Sequence, residues 1–332
     1  MSATSHFHRL RPDNFTLALL ATVVLASLLP CRGWAAAALE RLTDIAIALL
    51  FFLHGAKLSR QAVISGLSRW RLQLAVFAIT FGLFPLIGLI IAAAPSGVLS
   101  PTVAMGLLYL CILPSTVQSS IALTAMGRGN VPAAVCAASA SNFAGVFLTP
   151  LLAGLFLGAQ GQSGDFGQAV LAIVLQLLVP FVVGHLLQPR LGAFITRRKA
   201  ILTVVDRGSI LLVVYTAFSA AVIGGLWSRM GVGDLALILA FDAAILALVL
   251  AVTRLIARRW AFDHADEVTL AFCGSQKSLA SGAPMAGVLF PAAVAGPILI
   301  PLMLYHQLQL MVCAVLARRF AGRAEALGLA AA

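Results

Sequence analysis

Two long apolar segments of this chain are each interrupted by helix-breaking and polar residues. The first interruption begins at Pro114 and continues with the polar residues Ser115, Thr116, Gln118, Ser119 and Ser120. The second reads Gly274, Ser275, Gln276, Lys277 and Ser278. In lipid, unwound backbone persists only where it is buried in protein or lines a wet cavity. Matching breaks in the two halves of a membrane chain are typical of a transporter's binding site.

The composition predicts a protein embedded in a membrane. Hydrophobic residues make up 61% of the chain and charged residues only 10%, whereas soluble domains carry about 25% charged residues. A membrane helix needs about 20 mostly apolar residues. Ten segments fit this requirement, near residues 14–33, 39–57, 70–94, 100–127, 130–157, 166–188, 207–228, 233–256, 264–290 and 294–317. No long polar stretch separates them, so residues 1–332 are expected to form a single transmembrane domain.

The basic residues predict the orientation of these segments. With the N-terminus inside, only Arg32, Arg41 and Arg229 of the 22 Lys and Arg residues fall outside, and Lys277 falls within the membrane. The other basic residues fall on the cytoplasmic side, as the positive-inside rule requires. This arrangement predicts a multi-pass protein of the bacterial inner membrane with both termini cytoplasmic. It also explains the net charge of +11 without a nucleic-acid partner.

The two breaks occupy corresponding positions, in the fourth segment of each half of the chain. Because each half has an odd number of spans, the two halves enter the membrane from opposite sides and have opposite topology. The expected fold is therefore an all-α polytopic membrane protein of ten transmembrane helices. We expect these helices to form two inverted five-helix repeats, about 14–157 and 166–317, with broken helices 4 and 9 that cross. The boundary between the repeats is predicted near residues 160–167.

Lys277 is the most informative residue of the second break. An ammonium group deep in a membrane is costly, and such residues are candidates for function. Its neighbours Ser275, Gln276 and Ser278 could supply hydrogen bonds. The alternative is a structural lysine that pairs with a buried carboxylate such as Asp242.

The first break is suited to binding a cation or a polar solute. Pro114 lacks a backbone donor and clashes with the preceding turn, which frees carbonyl groups. The hydroxyl and amide groups that follow add neutral oxygen ligands, which suit hard cations. The alternative is a proline-kinked helix whose serine and threonine side chains pack against neighbouring helices.

Three further polar residues lie inside predicted spans. Asp242 is a candidate proton carrier or counter-ion, and equally a candidate salt-bridge partner. Asn142 and His306 could line a cavity or could hold helices together by hydrogen bonds. The chain has no nucleotide-binding loop, no zinc-protease motif and no serine-hydrolase motif, so we expect neither an enzyme nor a bound organic cofactor.

With ten spans and two breaks, the chain resembles the bile acid:sodium symporter (SBF-like) family and is most similar to its divergent YfeH-like branch. Leu49–Lys57 resembles the end of the family's second helix. Leu113–Ser120 and Gly127–Val131 resemble its fourth helix and the following turn. The resemblance implies a panel of helices 1, 2, 6 and 7 against a core of helices 3–5 and 8–10. It also implies sodium sites behind the crossing and a substrate cavity between panel and core.

The positions that resemble the family's sodium ligands mostly carry other groups in this chain. The resemblance places them at Ser119, Ser120, Ala134, Ala138, Phe272, Gly274, Gln276 and Lys277. A serine thus replaces an amide, two alanines replace hydroxyls, Phe272 replaces a bridging glutamate and Lys277 replaces an asparagine. Ser119, Ser120 and Gln276 remain as candidate sodium ligands.

These observations predict a secondary active transporter that moves a small organic solute by alternating access. Lys277 and the N-termini of the half-helices favour positive potential, which predicts an organic anion. The coupling ion is expected to be a proton or sodium. Because Lys277 stands among the ligand positions, we predict transport that does not depend on sodium. The alternative is a channel-like or regulatory membrane protein of ion homeostasis with the same fold.

Overall fold

Apolar helices account for nearly all of the structure. The computed structural model describes residues 14–57, 69–94, 99–157 and 174–328. The predicted boundary between the repeats, near residues 160–167, lies outside the described residues.

The helices follow the predicted segments in order. In the first half they are α1 Asn14–Leu28, α2 Gly33–Lys57, α3 Trp70–Ala92, α4a Pro101–Ile112, α4b Val117–Met126 and α5 Val131–Leu157. In the second half they are α6 Val179–Arg197, α7 Lys199–Ile223, α8 Val232–Arg259, α9a His264–Ser275, α9b Leu279–Leu289 and α10 Ala292–Ala326. Wider π-helical turns occur inside α3 at Ile79–Leu83 and before α6 at Val174–Leu178.

Several of these helices can cross a membrane by length and apolarity alone. Within the described residues, α3, α5, α7, α8 and α10 meet both requirements, and α4a with α4b forms one further span bent by 64°. Helix α2 contains the charged residues Glu40, Arg41 and Asp44, and the α9 pair contains Lys277 at its break. The full set of ten spans therefore stays a prediction.

Several helix boundaries differ from those predicted, including those of α6, α7 and α10. Helix α6 continues to Arg197 and α7 begins at Lys199, whereas the predicted spans end near 188 and begin again near 207. Helix α10 continues to Ala326, well past the predicted end at 317. The extension of α10 is rich in Ala and Arg, which are good helix formers. Hydropathy thus located the apolar part of α10, whereas helix propensity favours its continuation beyond that part.

The helices pack in two groups, as the resemblance implies. Helices α1, α2, α6 and α7 pack against one another, with the closest association between α2 and α6. Helices α3, α4a, α4b, α5, α8, α9a, α9b and α10 form the second group. The groups meet mainly where α7 packs against α9b and α10. Large apolar side chains such as Leu25, Ile90 and Val232 are exposed on the outer surface, as expected of helices that contact lipid.

Helices α2 and α6 approach so closely that their backbones touch. A Cβ atom placed on Gly184 would lie 2.0 Å from the carbonyl oxygen of Phe52, and one on Gly55 would lie 2.0 Å from that of Phe181. Small residues at such contacts are how membrane helices pack closely. The two glycines therefore allow α2 and α6 to pack directly against each other.

We expect Gly184→Val to destabilise the protein, because backbone atoms cannot move aside as a flexible side chain can. Overpacking of this kind costs about 1–3 kcal/mol or more. The same change at Gly208, whose Cβ would meet nothing within 4 Å, is the matched control. Thermal unfolding in mild detergent should show a clear loss for Gly184→Val and little change for Gly208→Val. Equal stability of the two variants would contradict the close contact.

Candidate solute and ion site at the crossing of two broken helices

The two broken helices lie against each other at their breaks. The Ser278 amide donates to the carbonyl oxygen of Pro114 at 2.9 Å. The Thr116 hydroxyl donates to the carbonyl oxygen of Lys277 at 2.7 Å, and the Ser115 hydroxyl donates to that of Cys273 at 2.7 Å. The sequence correctly predicts that the breaks meet. Thr116 makes the side-chain contact with the Lys277 backbone.

The break after α4a leaves three carbonyl groups without helical partners. Leu113 and Thr116 are extended (ψ 155° and 130°), so the amides beyond them turn away from the preceding helix. The carbonyl oxygen of Ile112 accepts instead from the Thr149 hydroxyl at 2.9 Å. The carbonyl oxygens of Cys111 and Leu113 both accept from the side chain of Lys277.

The Lys277 ammonium is completely buried and donates to three carbonyl oxygens. Its Nζ lies 3.1 Å from the oxygen of Thr80, 3.0 Å from that of Cys111 and 2.6 Å from that of Leu113. It also lies 3.9 Å from the centre of the Phe84 ring, which is a close cation–π contact. An ammonium has three donors, so every one of them is used.

The Thr80 carbonyl is available because of the π-helical turn in α3. Within this turn the Phe84 amide donates to the carbonyl oxygen of Ile79, five residues earlier. The next amide position is Pro85, which has no N–H. The carbonyl of Thr80 therefore has no backbone donor in its own helix, and Lys277 replaces that donor.

The alternative in which Lys277 pairs with Asp242 is wrong. In the described part of the chain, no carboxylate oxygen forms an ion pair with Lys277 within 4.0 Å. Asp242 is fully buried on α8, and neither of its oxygens has a hydrogen-bond partner there. The carbonyl groups of broken backbone, rather than a counter-ion, thus stabilise the buried ammonium.

Helix α10 satisfies the backbone of the second break. The Gln309 amide oxygen accepts from the Lys277 amide at 2.8 Å, and its Nε2 donates to the Lys277 carbonyl oxygen at 3.0 Å. The Tyr305 hydroxyl donates to the carbonyl oxygen of Ser275 at 2.8 Å. His306 contacts the same Gln309 Nε2 through Nδ1 at 3.0 Å. Sequence reasoning missed Gln309 and Tyr305, although their spacing of four residues on an apolar helix places them on one face.

The candidate sodium ligands bond to one another or to backbone. The Ser119 hydroxyl donates to the amide oxygen of Gln276 at 2.8 Å. The Ser120 hydroxyl lies 3.4 Å from both the Ser115 hydroxyl and the carbonyl oxygen of Phe272. To bind a sodium ion, several of these oxygens would have to turn towards one point. Ser119 and Gln276 are instead bonded to each other, and Ser120 faces Ser115 and Phe272. The residues present therefore fit a sodium ion poorly.

A cavity of about 900 Å³ lies between the two helix groups, beside the crossing. Six of the predicted site residues line it, and these are Thr116, Gln118, Ser119, Asn142, Ser278 and His306. Asn142 also joins the two breaks, since its Nδ2 donates to the Ser115 carbonyl and its Oδ1 accepts from the Ser281 hydroxyl at 2.8 Å. Asn142 thus both lines the cavity and joins helices by hydrogen bonds, the two roles that the sequence left open.

The other predicted site residues do not line this cavity. Ser115, Ser120, Ser275, Gln276 and Lys277 are buried within the crossing. Pro114 packs against Gly145 of α5, and Gly274 packs against Ile79 and Thr253. These residues build the crossing rather than face the cavity.

The cavity combines an apolar wall with charged residues near the helix ends predicted to be cytoplasmic. The apolar wall includes Phe15, Leu50, Phe51, Phe143, Phe181 and Met311. Arg207 and Arg318 line it as well, together with His54 and Asp206. The Arg207 guanidinium lies 5.4 Å from the ring centre of Phe15.

Comparison with known sequences identifies the family of this chain. Residues 13–322 match the profile of the SBF-like CPA transporter family. The chain belongs to this family. The SBF-like protein is therefore a multi-pass membrane protein of a transporter family, as the sequence predicts.

Relatives of this SBF-like protein cover almost its whole length. An uncharacterized protein of Pseudomonas aeruginosa is 57% identical over 317 residues, which is 96% of this chain and 95% of the relative. The putative symporter YfeH of Escherichia coli is 53% identical over 315 residues, or 95% of each chain. The sodium/bile acid cotransporter 7 of Mus musculus is 27% identical over 319 residues, covering 93% of this chain and 92% of the relative.

We expect Gln309→Leu to destabilise the crossing, because the buried Lys277 amide would lose the side-chain oxygen to which it donates. A buried unsatisfied amide costs about 1–3 kcal/mol. Gln307→Leu is the matched control, since Gln307 is half-buried at the cavity on the same helix. The melting temperature in detergent should fall clearly more for Gln309→Leu than for Gln307→Leu. The reverse order would contradict this role of Gln309.

Proposed function

We propose that this SBF-like protein is a secondary active transporter that moves a small organic anion by alternating access. In this proposal it spans the bacterial inner membrane ten times, as two inverted repeats of about 14–157 and 166–317, with both termini cytoplasmic. Its partners are the solute and the surrounding lipid. The cavity of about 900 Å³ between the two helix groups carries the proposal, because rocking of one group against the other would expose it to alternate sides.

The cavity is suited to an organic anion. Its lining includes the first residues of both half-helices that follow the breaks, Val117 of α4b and Leu279 of α9b. Helix N-termini carry partial positive charge and unpaired N–H groups, which favour anions. Arg207 and Arg318 add full positive charges. The aromatic and aliphatic wall would contact the apolar body of the solute.

The names of the relatives support a transporter but leave coupling open. One relative is called a putative symporter and another a sodium/bile acid cotransporter. We propose that transport by this chain does not require sodium, because Lys277 donates to carbonyls that a free cation would otherwise bind. Transport would then be either uniport or coupled to protons through Lys277 or Asp242, both of which are buried ionisable groups.

The charge of the solute can be tested with adjacent arginines on α10. Both Arg318 and its neighbour Arg319 are exposed, but Arg318 lines the cavity and Arg319 does not. Cells that overproduce the parent, Arg318→Gln or Arg319→Gln can be compared by untargeted mass spectrometry with cells carrying an empty vector. We expect several-fold changes in anionic metabolites with the parent and Arg319→Gln, and much smaller changes with Arg318→Gln.

Two outcomes of this comparison would contradict the proposal. One is that only cationic solutes change, and the other is that both arginine variants behave alike. Once a solute is identified, counterflow in liposomes separates a carrier from a channel. A carrier exchanges labelled for unlabelled solute and saturates, whereas a channel does neither.

A further inference from the structure

Two backbone irregularities free the three carbonyl groups that surround Lys277. Those of Cys111 and Leu113 lose their helical partners at the break after α4a. That of Thr80 loses its partner because the π-helical turn is followed by Pro85. Two separate irregularities, in α3 and α4a, thus direct carbonyl oxygens at one point. These irregularities belong to α3 and α4a and not to the α9 pair that carries Lys277.

A convergent set of buried carbonyl oxygens is the kind of site that binds monovalent cations. The face of the Phe84 ring lies on the same point and also favours positive charge. We propose that the carbonyls of Thr80, Cys111 and Leu113 form a monovalent-cation site that Lys277 occupies from within the chain. This site binds a free monovalent cation when the ammonium is removed.

The geometry indicates which cation fits best. The three oxygens lie 2.6–3.1 Å from Nζ, which are ordinary hydrogen-bond distances for an ammonium. A primary alkylammonium keeps this geometry, whereas a small metal ion must draw the carbonyls inwards. The hydroxyl of Thr80 is also fully buried and has no hydrogen-bond partner in the described part of the chain.

The Lys277 side chain tethers the ammonium covalently to the site that it occupies. A group held in place by its own chain has a high effective concentration that does not depend on the medium. The crossing of the broken helices is then stabilised at any external ion composition. This inference concerns the stability of the crossing and holds whatever solute the cavity binds, so it can fail or succeed independently of the transport proposal.

The test is rescue of Lys277→Ala by added cations. Truncation to alanine removes three carbons and the nitrogen, which is the composition of propylammonium. Melting temperatures of purified parent and variant are measured in N-methylglucamine chloride and in the propylammonium, potassium and sodium salts at equal ionic strength. We expect the parent to melt at the same temperature in all four. The variant should melt lower in N-methylglucamine and gain about 5 °C or more with propylammonium, saturably.

Lys277→Met is the matched control, because its side chain occupies most of the same space without charge. We expect it to be destabilised and to gain nothing from any cation. Equal melting temperatures of Lys277→Ala in all four salts would overturn the proposal, as would equal responses of the alanine and methionine variants. Should Lys277→Ala be lost during purification, recovery with propylammonium but not with N-methylglucamine supports the site. Loss of the variant in every salt overturns it.

Discussion

The burial of one ammonium among three carbonyl oxygens is the interaction on which the centre of this protein depends. Lys277 stands in the break of α9, whereas its partners belong to α3 and α4a. A single side chain therefore connects three elements that are far apart in sequence. Removing it would leave three buried carbonyls without donors, and each would cost about 1–3 kcal/mol. An apolar side chain of similar length could fill the space but could not replace these bonds.

The rest of the crossing follows the same physical rule. Every unwound turn in a membrane exposes backbone groups that lipid cannot bond. Here Gln309 and Tyr305 of α10 bond the backbone of the second break, while Thr149 and Ser141 of α5 bond that of the first. Thr116, Ser119 and Ser278 lie on the other side of the breaks, where they line the cavity. One face of the crossing thus provides stability, and the other faces the cavity that we propose binds the solute.

Much of this arrangement was predictable from the sequence, because its signals are strong in a membrane. Ten apolar segments, Pro114 and an intramembrane lysine predicted a helical membrane protein with two breaks that meet. The contacts of Lys277 were not predictable, since they are made to backbone atoms. The Thr80 carbonyl is available because of a π-helical turn, and the Cys111 carbonyl because of the break after α4a. Gln309 was missed because its partner lies 32 residues earlier and no local pattern links them. The extra turns of α10 were missed because hydropathy follows the membrane and not the helix.

The central claim is that the Lys277 ammonium takes the place of a diffusible cation at the crossing. The most direct measurement is solute uptake by purified protein in liposomes, with sodium on both sides or replaced throughout by N-methylglucamine. The account predicts equal initial rates in the two media for the parent protein, and a strong loss of uptake in Lys277→Ala when sodium is absent. Strict dependence of the parent on sodium that persists in Lys277→Ala would contradict it.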